Sequence, residues 1–338
     1  MTYSFNDLAV TFVIITYNSE NFISKCISSI LSQSHNNFEI VIIDNNSNDS
    51  TLDILNSLKS DYPIKIISNN ENMGYGNAIN QNIKNISSPF IAVLNPDVYL
   101  DKNWTINLIK SFTDDDLFVM ASGLTYSPDN SIQSAGGCMD KFGAVFHRNS
   151  SLTKTKFFDD GLSFFFIDGS SFLIKTDFFK KNPFDPNLFL YYEDVDLSWR
   201  IHMLKYKINF VENAIAYHDI GHKNKGMTCE KFFYIARNRL YVCQKNFSLK
   251  KLFRKIPIIL SLLLLNSIYY NFKFKTVSYI FKFFKACFWN LKHIRTISSQ
   301  RKNGFNINLL TNDEIDFFIT NRSIELNFFK NKILFKPK

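Results

Sequence analysis

Over the first 125 residues, short runs of continuous apolar residues alternate with segments whose apolar residues recur at helical spacing. The runs are LAVTFVIITY, FEIVIID, PIKIIS, PFIAVLN and LFVMASGL. Such runs are typical of strands that are covered on both faces of a sheet. Between them, ENFISKCISSILSQ and STLDILNSLKS each place their apolar residues on one helical stripe. The alternation predicts an α/β fold with a doubly wound, mainly parallel sheet.

Polar residues follow each of the first four predicted strands. They are Thr16, Tyr17 and Asn18, then Asp44, Asn45 and Asn46, then Asn69 and Asn70, then Asn95 and Asp97. In doubly wound sheets, ligands bind at the carboxyl ends of the strands. Asn and Asp are also ordinary turn residues, which explains each cluster singly. A carboxylate at the end of two separate strands favours a ligand-binding edge.

The segment NMGYGNAINQNI contains a GxG pair and opens a predicted helix. It does not form a dinucleotide fingerprint, because Ile79 stands where the third glycine is required and the motif follows the third strand rather than the first. A loop that lets the backbone approach a diphosphate, near Gly74 and Asn77, remains open.

Residues 126–165 have no clear period, which predicts a long, partly mobile connection. FFFIDGSSFLIK then indicates a strand that Gly169 interrupts, where something comes close to the backbone. The segment FLYYEDVDLSWR follows, with Glu193, Asp194 and Asp196 at the start of a predicted helix. The helix dipole favours acidic residues there, but crowded carboxylates also raise one another's pKa. The segment is therefore either a solvated helix start or a site of acid–base chemistry.

The net charge of +9 lies in one part of the chain. From Lys245 to Lys302 there are thirteen Lys or Arg residues and no Asp or Glu, so the remainder has a balance of −4. Within this basic stretch, IPIILSLLLLNSIYY is shorter than the ~20 residues of a membrane-spanning helix. Together with VSYIFKFFKACFWNLKHI, it predicts interfacial helices on anionic lipid.

The same composition has two other interpretations. Basic residues between aromatic ones also bind nucleic acid, but the apolar content is too high for that surface, so no nucleic-acid partner is predicted. The helices can instead pack as a subdomain on the rest of the chain or on a second subunit, which would make the protein a homo-oligomer.

The cysteines and the N-terminus suggest a compartment. Five scattered cysteines without a CxxC pair predict neither a disulfide framework nor a zinc site, and they fit a reducing cytosol. The apolar run near the N-terminus follows an acidic residue and precedes no small-residue cleavage site, so a buried strand is predicted rather than a signal peptide. His218 and His222 have the spacing of zinc ligands on a helix, but Gly221 indicates a loop there.

The motifs VIITYN, IIDNNSNDST, LNPDV, YYEDVDLSWR and AYHDIGHK occur in this order. With them, the chain resembles family 2 glycosyltransferases of the GT-A fold, and most closely the bacterial rhamnosyltransferases that build surface polysaccharides. The resemblance runs from about Val10 to Asn246. It implies a catalytic domain over residues 1–245, with residues 246–338 as the basic, aromatic and helical C-terminal region.

The resemblance also implies roles for the matching residues. Asp44 would bind the nucleobase, and Asp97 with His218 would hold Mg²⁺ or Mn²⁺. Asp194 would be the catalytic base, positioned by Glu193. The candidate residues for the nucleotide sugar are Thr16, Tyr17, Asn18, Asp44, Asn46, Gly74, Asn77, Asn95, Asp97, Gly169 and Arg237. Trp199 is the candidate for stacking on the acceptor, with core packing as its alternative.

The implied function is that of an inverting glycosyltransferase on the cytosolic face of the membrane. It would move L-rhamnose from dTDP-rhamnose to a lipid-linked intermediate of O-antigen or capsule. The usual DxD motif is Asn95, Pro96, Asp97 here, so an amide replaces one carboxylate that would face the metal.

Three alternatives stay open from the sequence. The first is the same reaction with a UDP-sugar. The second is a sugar-nucleotide pyrophosphorylase, although ITYNSENFISK lacks the glycine-rich basic loop of that class. The third is a non-catalytic membrane or assembly protein with a decayed site.

Overall fold

The structure is a computed structural model that describes residues 7–61, 63–112, 115–148, 164–220, 226–305, 312–316, 318–320, 323 and 325–326. Its strands are β1 (Val10–Thr16), β2 (Phe38–Asp44), β3 (Ile64–Ser68), β4 (Phe90–Leu94), β5 (Val98–Leu100), β6 (Phe118–Tyr126), β7 (Ile132–Ser134), β8 (Gly137–Asp140), β9 (Val145–His147), β10 (Ser171–Lys175), β11 (Lys207–His218) and β12 (Ile319–Thr320). Its helices are α1 (Ile23–Leu31), α2 (Thr51–Asp61), α3 (Tyr75–Ile83), α4 (Trp104–Lys110), α5 (Thr176–Lys181), α6 (Glu193–Met203), α7 (Cys229–Asn246), α8 (Leu249–Phe274), α9 (Ser278–Lys292), α10 (Ile294–Phe305) and α11 (Asn312–Asp316).

A large mixed sheet organises the first two thirds of the chain. Its strand order is β3-β2-β1-β4-β10-β6-β11-β5, and β7 pairs with β6 outside this path. The pairs formed by β1 to β4 are parallel, and β6 and β11 are also parallel. Strand β10 runs antiparallel to both of its neighbours, and β5 runs antiparallel to β11. The predicted α/β class with a mainly parallel sheet is confirmed.

Both faces of this sheet are covered, as the continuous apolar runs predicted. In β1, Phe12 and Ile14 pack in the same apolar cluster as Ile27 of α1. The alternate residue Val13 packs in a second cluster with Ile79 of α3. Successive strand side chains point to opposite faces, so a strand covered by helices on both sides has to be apolar at every position.

The region 126–165 contains more structure than its pattern predicted. Strands β7, β8 and β9 lie between residues 132 and 147, and β8 joins β9 and β12 in a separate small sheet. These strands are three or four residues long, which is too short for an alternating pattern to be recognised. The expectation of a long connection is therefore wrong up to residue 147, and residues 149–163 lie outside the described part of the chain.

The C-terminal helices pack on the part of the chain that contains the large sheet. Leu263 of α8 and Phe283 of α9 belong to the same buried cluster as Trp199 of α6 and Leu240 of α7. Within the described residues, α8 alone is long and apolar enough to cross a bilayer, with 26 residues and a mean hydropathy of 1.5 over its most apolar window. Its residue Ser267 is buried against the rest of the protein. One face of α8 is thus part of the protein core.

Candidate active site

The carboxyl ends of β1, β2 and β3 form the polar edge that the sequence predicted. The main-chain N–H of Asn45 donates to the carbonyl of Thr16 (2.8 Å), and the N–H of Asn69 donates to the carbonyl of Asp44 (2.8 Å). The hydroxyl of Thr16 donates to Asp44 Oδ1 (2.8 Å). Ser47 donates to the same carboxylate through its hydroxyl and its N–H. The Asp44 side chain is therefore held in a fixed position at the bottom of this edge.

The loops beside Asp44 have a specific backbone geometry. Asn18 and Asn46 both adopt positive φ angles, of 53° and 64°. Asn is one of the few residues that tolerate this region, because its short polar side chain bonds locally. Asn18 does so by accepting a hydrogen bond from the N–H of Asn48 (2.8 Å). Between these turns Tyr17 is 48% exposed at the edge, one residue after Thr16, which lies opposite Asp44.

A second pair of residues meets just beyond the carboxyl end of β4, the strand that lies beside β1 in the sheet. Because β5 pairs antiparallel with β11, His218 lies opposite Val98, the residue after Asp97. His218 Nε2 is 3.2 Å from Asp97 Oδ1. The contact is not a well-aligned hydrogen bond, since Asp97 Oδ1 has no hydrogen-bond partner within the described residues. A buried carboxylate oxygen without a donor has room for a cation.

Asp97 and His218 fit a divalent ion. Two neighbouring ligands of an octahedral ion, each about 2.1 Å from it, lie about 3 Å apart, which is close to the separation found here. Burial alone lowers the pKa of His218, but contact with Asp97 and the charge of Asp168 outweigh burial and raise the pKa. The raised pKa of His218 indicates that the side chains around it are negatively charged. The described residues contain no group of three or more His, Cys, Asp or Glu side chains that would hold a metal alone. The remaining ligands would have to come from a bound diphosphate and water.

Strand β10 brings the third part of the site to the same place. The start of β10 lies beside the end of β4, and the N–H of Asn95 donates to the carbonyl of Ser170 (2.9 Å). The preceding Gly169 donates its N–H to Asp194 Oδ2 (3.0 Å). A Cβ atom at Gly169 would be 3.3 Å from that oxygen, which is tight. The interruption of the predicted strand at Gly169 thus admits the Asp194 carboxylate.

Asp194 itself stands at the start of α6, after a strained turn. Tyr191 and Tyr192 both have positive φ angles, of 69° and 73°. Such angles are unfavourable for aromatic residues and cost on the order of 1–3 kcal/mol each, so the surroundings must hold the turn. Asn238 of α7 does this by donating to the carbonyls of Leu190 (2.8 Å) and Tyr191 (2.6 Å). The hydroxyl of Tyr192 donates to the carbonyl of Gly143 (2.9 Å).

The two acidic residues at this helix start have different protonation behaviour. Burial and then the charge of Asp194 raise the pKa of Glu193 to about 8. Burial and then the charge of Asp168 raise the pKa of Asp194 to about 6, while the N–H groups of Gly169 and Val195 oppose the shift. At neutral pH, Asp194 is therefore ionised and Glu193 is neutral. A pair whose pKa values are separated in this way has one base and one hydrogen-bond donor.

Three further residues around Glu193 and Asp194 were not predicted from the sequence. Asp168 lies 3.6 Å from His147 Nδ1, and its charge acts on Asp194. The hydroxyl of Tyr75 donates to the carbonyl of Gly169 (2.5 Å), and its pKa is raised by burial and by Glu193, Asp194, Asp168 and Asp97 in turn. The interrupted strand was a signal for Asp168. His147 gave none, because it lies in the region without a period.

Asp196 has a different environment from its neighbour in the motif. It is fully buried and accepts hydrogen bonds from Arg200 Nε (2.9 Å) and Asn246. The oxygen that accepts from Asn246, Oδ1, is also 2.7 Å from Lys245 Nζ, which contacts Asp185 as well (2.6 Å). Residues two apart on a helix point in nearly opposite directions. Asp196 is therefore part of a buried ion cluster in the protein interior.

Two expected ligand contacts are corrected by burial. Trp199 is 1% exposed and makes edge-to-face contacts with Phe165 and Phe247, so no ring face is available for an acceptor sugar. Arg237 is also buried, and its guanidinium donates to the carbonyl of Asn187 (3.0 Å) and lies over the Trp289 ring. Arg237 holds helices together and is not directed at a diphosphate.

The glycine loop before α3 is also occupied by the protein itself. Gly74 has a φ of 81°, and a Cβ atom there would be 2.3 Å from the carbonyl oxygen of Phe189. Asn77 donates to the carbonyls of Met73 and Pro186. The close approach predicted at Gly74 is therefore to the segment before α6. His222 lies outside the described residues.

Sequence and structure comparisons identify the family and the fold of the chain. The profile of the family "Glycosyl transferase family 2" matches residues 11–182, about half of the chain, and ends before Glu193. A poly-beta-1,6-N-acetyl-D-glucosamine synthase of Staphylococcus epidermidis is 22% identical over 211 residues, which are 62% of this chain and 49% of that relative. An uncharacterized glycosyltransferase of Haemophilus influenzae is 35% identical over 101 residues, which are 30% of this chain and 31% of that relative. The matched segments thus span about a third to a half of these curated relatives.

Two solved structures share the fold at low identity. GalNAc-T7 with UDP, GalNAc and Mn²⁺ has a TM-score of 0.56 at 18% identity, covering 70% of this chain and 48% of that one. The mannosyltransferase PcManGT of Pyrobaculum calidifontis with GDP-Man and Mn²⁺ has a TM-score of 0.54 at 12% identity, covering 97% of this chain and 88% of that one. The GT-A fold expected from the motifs is confirmed.

Proposed function

The chain belongs to glycosyl transferase family 2, and from this premise we propose that it is an inverting enzyme that moves a sugar from a nucleoside diphosphate to a hydroxyl of a glycan. The observation that carries the proposal is the Asp194 carboxylate. It is partly exposed, is held by the N–H groups of Gly169 (3.0 Å) and Val195 (2.8 Å), and has a pKa of about 6. A general base that works near neutral pH needs such a pKa and a fixed position.

The reaction is a single displacement. The acceptor hydroxyl gives its proton to an oxygen of Asp194 while its oxygen forms a bond to the anomeric carbon. On the opposite face of the sugar, the bond from that carbon to the diphosphate oxygen breaks, and its electron pair leaves with the diphosphate. A divalent ion held by Asp97 and His218 would supply positive charge for the leaving diphosphate. The ion is proposed as Mg²⁺ or Mn²⁺.

Neighbouring residues prepare Asp194 for this step. Glu193 is neutral at pH 7 and adds no second negative charge where the acceptor has to approach. Tyr75 fixes the carbonyl of Gly169, whose N–H in turn holds Asp194. The acidic groups are mostly buried, which keeps the pKa of Asp194 high enough to accept a proton.

The nucleotide would occupy the edge formed by β1 and β2. Tyr17 offers an exposed ring for stacking on the base. Asp44 is fully buried beneath this edge, so its proposed contact with the base requires the loop of Ser47, whose N–H donates to Asp44 Oδ2, to move aside. Thr16, Asn18 and Asn46 shape the loops on either side. Asn95 follows β4 next to Asp97, where the ribose and diphosphate would lie.

Two donors are proposed for testing. The first is dTDP-L-rhamnose, because the Asn95, Pro96, Asp97 motif resembles the rhamnosyltransferase branch. The second is a UDP-sugar, UDP-N-acetylglucosamine first, because the Staphylococcus epidermidis relative is named as a poly-N-acetylglucosamine synthase. In either case the acceptor is proposed to be a lipid-linked intermediate of a surface polysaccharide, reached from the cytosolic face of the membrane.

Thermal unfolding with a panel of nucleotides tests the donor. A ligand that binds the native state stabilises it by about 2.7 kcal/mol when the ligand concentration is 100 times its Kd. The melting temperature rises as a result. We expect a shift with dTDP or with UDP and their sugars, larger with Mn²⁺ or Mg²⁺ than with EDTA. Selectivity for dTDP supports rhamnose, and selectivity for UDP replaces it with the second donor. No shift with any nucleotide, with metal and lipid vesicles present, would contradict the proposal and favour a non-catalytic protein.

A second measurement separates transfer from binding. A donor that binds is incubated with the protein, metal and a lipid-linked acceptor fraction, and release of the nucleoside diphosphate is followed. Pyrophosphate release from a nucleoside triphosphate and a sugar phosphate would instead indicate the pyrophosphorylase reaction.

A further inference from the structure

Helix α9 carries two apolar faces, of which only one is covered. The inner face is buried against α7 and α8 through Tyr279, Phe283, Ala286 and Asn290. The outer face of α9, with residues 59–69% exposed, consists of Val277, Phe281, Phe284, Phe288 and Leu291. Their spacing alternates between four and three residues, so they form one continuous stripe along the helix. A stripe of this length made of large apolar residues marks an interaction surface.

The turn into α9 continues the exposed apolar surface. Phe272 and Phe274, at the end of α8, are 81% and 44% exposed. The next residue, Lys275, has a φ of 49°, so α8 ends there and the chain reverses into α9. Phe272 is therefore exposed beside this turn, while the partly exposed ring of Phe274 stacks on Tyr270 and Tyr279.

The charges around the outer face of α9 are all positive. Lys285, Lys292 and Arg295 are exposed on or next to the helix, and Lys273 and Lys275 are exposed at the turn. The sequence contains no Asp or Glu from residue 246 to residue 312. Lys282 is paired with Glu230 of α7, so it belongs to the packing of the hairpin. An aromatic stripe flanked by basic residues matches the headgroup level of an anionic bilayer.

We propose that the outer face of α9 docks on an anionic membrane surface, with α9 lying in the plane of the headgroups. A second copy of the chain fits less well, because a symmetric contact would bring Lys285 and Lys292 of both copies together without a carboxylate to pair with. Phosphate-bearing lipid headgroups supply the missing negative charge. Helix α8 does not need to leave the protein for this, since its buried side stays in the core.

The docked helix is connected to the candidate active site. Asn290, on the inner face of α9, donates to the carbonyl of Arg237 in α7 (3.0 Å). The adjacent Asn238 donates to the turn before Asp194. When α9 docks, helices α9 and α7 therefore connect the membrane surface to this turn. The docking itself does not depend on the proposed function. Only the further step, in which docking brings a lipid-linked acceptor to Asp194, rests on that function.

Vesicle binding by the full chain tests the surface. The probes are vesicles of phosphatidylcholine alone and vesicles with phosphatidylglycerol added, and bound protein is measured by sedimentation. We expect binding to the anionic vesicles that weakens as salt rises. The variant F281S/F284S/F288S should weaken it by about 100-fold or more, given the area that three exposed Phe side chains would bury. The exposed apolar control L117S, on the sheet domain, should bind as the wild type does.

Charge reversal gives an independent test. K285E/K292E should weaken binding to anionic vesicles by about tenfold or more and remove its salt dependence. The matched control K59E/K84E reverses two exposed lysines of α2 and the end of α3 and should change binding less than twofold. Each variant is first compared with the wild type by thermal unfolding. The variant D194N should bind vesicles like the wild type, so that loss of transfer and loss of docking are measured separately.

Fluorescence locates the contact. Of the three tryptophans, Trp104 and Trp199 are fully buried, and Trp289 of α9 is partly exposed. Lipids brominated near the headgroup should quench the emission of the wild type but not of W289F. The proposal is wrong if vesicle binding is unchanged in F281S/F284S/F288S, or if light scattering shows a dimer that this variant dissociates, which would make the stripe a subunit interface.

Discussion

The side-chain amide of Asn238 donates a hydrogen bond of 2.6 Å to the main-chain carbonyl of Tyr191. Tyr191 belongs to α6's entry turn, in which two consecutive aromatic residues have positive φ angles. Because that geometry is unfavourable in isolation, the position of Asp194 depends on a contact made by a helix more than forty residues later in the chain. The turn that positions Asp194 and helix α7 are therefore one structural unit.

Asn238→Ala removes both hydrogen bonds to this turn. We expect kcat to fall by about 10–100-fold while the KM for the donor changes little, because the proposed nucleotide edge lies on other loops. Asn290→Ala is the matched control, since it removes a buried amide from the same helix layer without touching the turn. Its cost should appear in the melting temperature with at most a small change in kcat. Equal kcat losses in the two variants would mean that Asn238 has only a structural role.

The two carboxyl groups at the start of α6 predict opposite results for isosteric amides. Asp194→Asn removes the base and should lower kcat by about 10³-fold or more, with donor binding retained in the thermal-shift assay. Glu193→Gln replaces a group that is neutral at pH 7 and should retain activity within about tenfold. Full activity in Asp194→Asn would remove the central assignment.

The pH dependence of kcat/KM follows from the raised pKa of Asp194. The base has to be ionised, so activity should fall about tenfold per unit as the pH drops below about 6. The charge of Asp168 helps to raise this pKa. Asp168→Asn should therefore move the acidic limb to lower pH. The same profile for wild type and variant would show that Asp168 does not act on Asp194.

Metal removal tests the pair at the end of β5 and β11. We expect EDTA to abolish most of the thermal shift caused by the donor, and Mn²⁺ or Mg²⁺ to restore it. His218→Asn should raise the metal concentration for half-maximal restoration by about 10–100-fold. His293→Gln, on the C-terminal helices, is the control histidine and should leave that concentration unchanged. A donor shift that is independent of EDTA would exclude a role for the pair in holding an ion.

Replacement of Lys245 should have a large effect on the free energy of unfolding. Lys245 contacts the buried carboxylates of Asp185 (2.6 Å) and Asp196 (2.7 Å), so Lys245→Met leaves Asp185 without its cation and Asp196 with Arg200 alone, and it should cost about 3–5 kcal/mol of unfolding free energy. Lys207→Met breaks an exposed pair with Asp115 and should cost much less, because solvent screens the charges. Urea titration of both variants measures the difference. Similar losses would show that the cluster is screened by solvent.

The same ion cluster should make the stability of the protein depend on pH. Burial raises the pKa of Asp185, but Lys245 and the hydrogen bonds of Asn187 outweigh burial and hold the pKa well below its ordinary value. A carboxyl whose folded pKa is lowered stabilises the protein above its unfolded pKa of about 3.9 and loses that contribution as the pH falls. The wild type should lose stability below about pH 4, and Lys245→Met should lose less over the same range.

Much of this protein follows from local patterns in its sequence. The apolar runs of β1, β2 and β4 predict strands covered on both faces, and their polar ends predict the edge that holds Asp44 and Asp97. These predictions succeed because strand period, helix period and strand-end chemistry depend on neighbours in the chain. The acidic start of α6 is recognisable for the same reason.

The tertiary structure decided which of those residues meet. Insertion of β10 between β4 and β6 brings Asp168 and Gly169 to Asp194, and pairing of β5 with β11 brings His218 to Asp97. These are contacts between residues far apart in sequence, for which periodicity carries no information.

The tertiary structure also decided which side chains are buried. Asp194 and Asp196 are two residues apart and point to opposite sides of α6, and their spacing does not say which side faces the cleft. Trp199 and Arg237 look like ligand-binding residues in sequence and lie in the interior, because α7 and the C-terminal helices cover them. A side chain's environment depends on which element packs against it, so the division between base, ion cluster and core exists only in the folded chain.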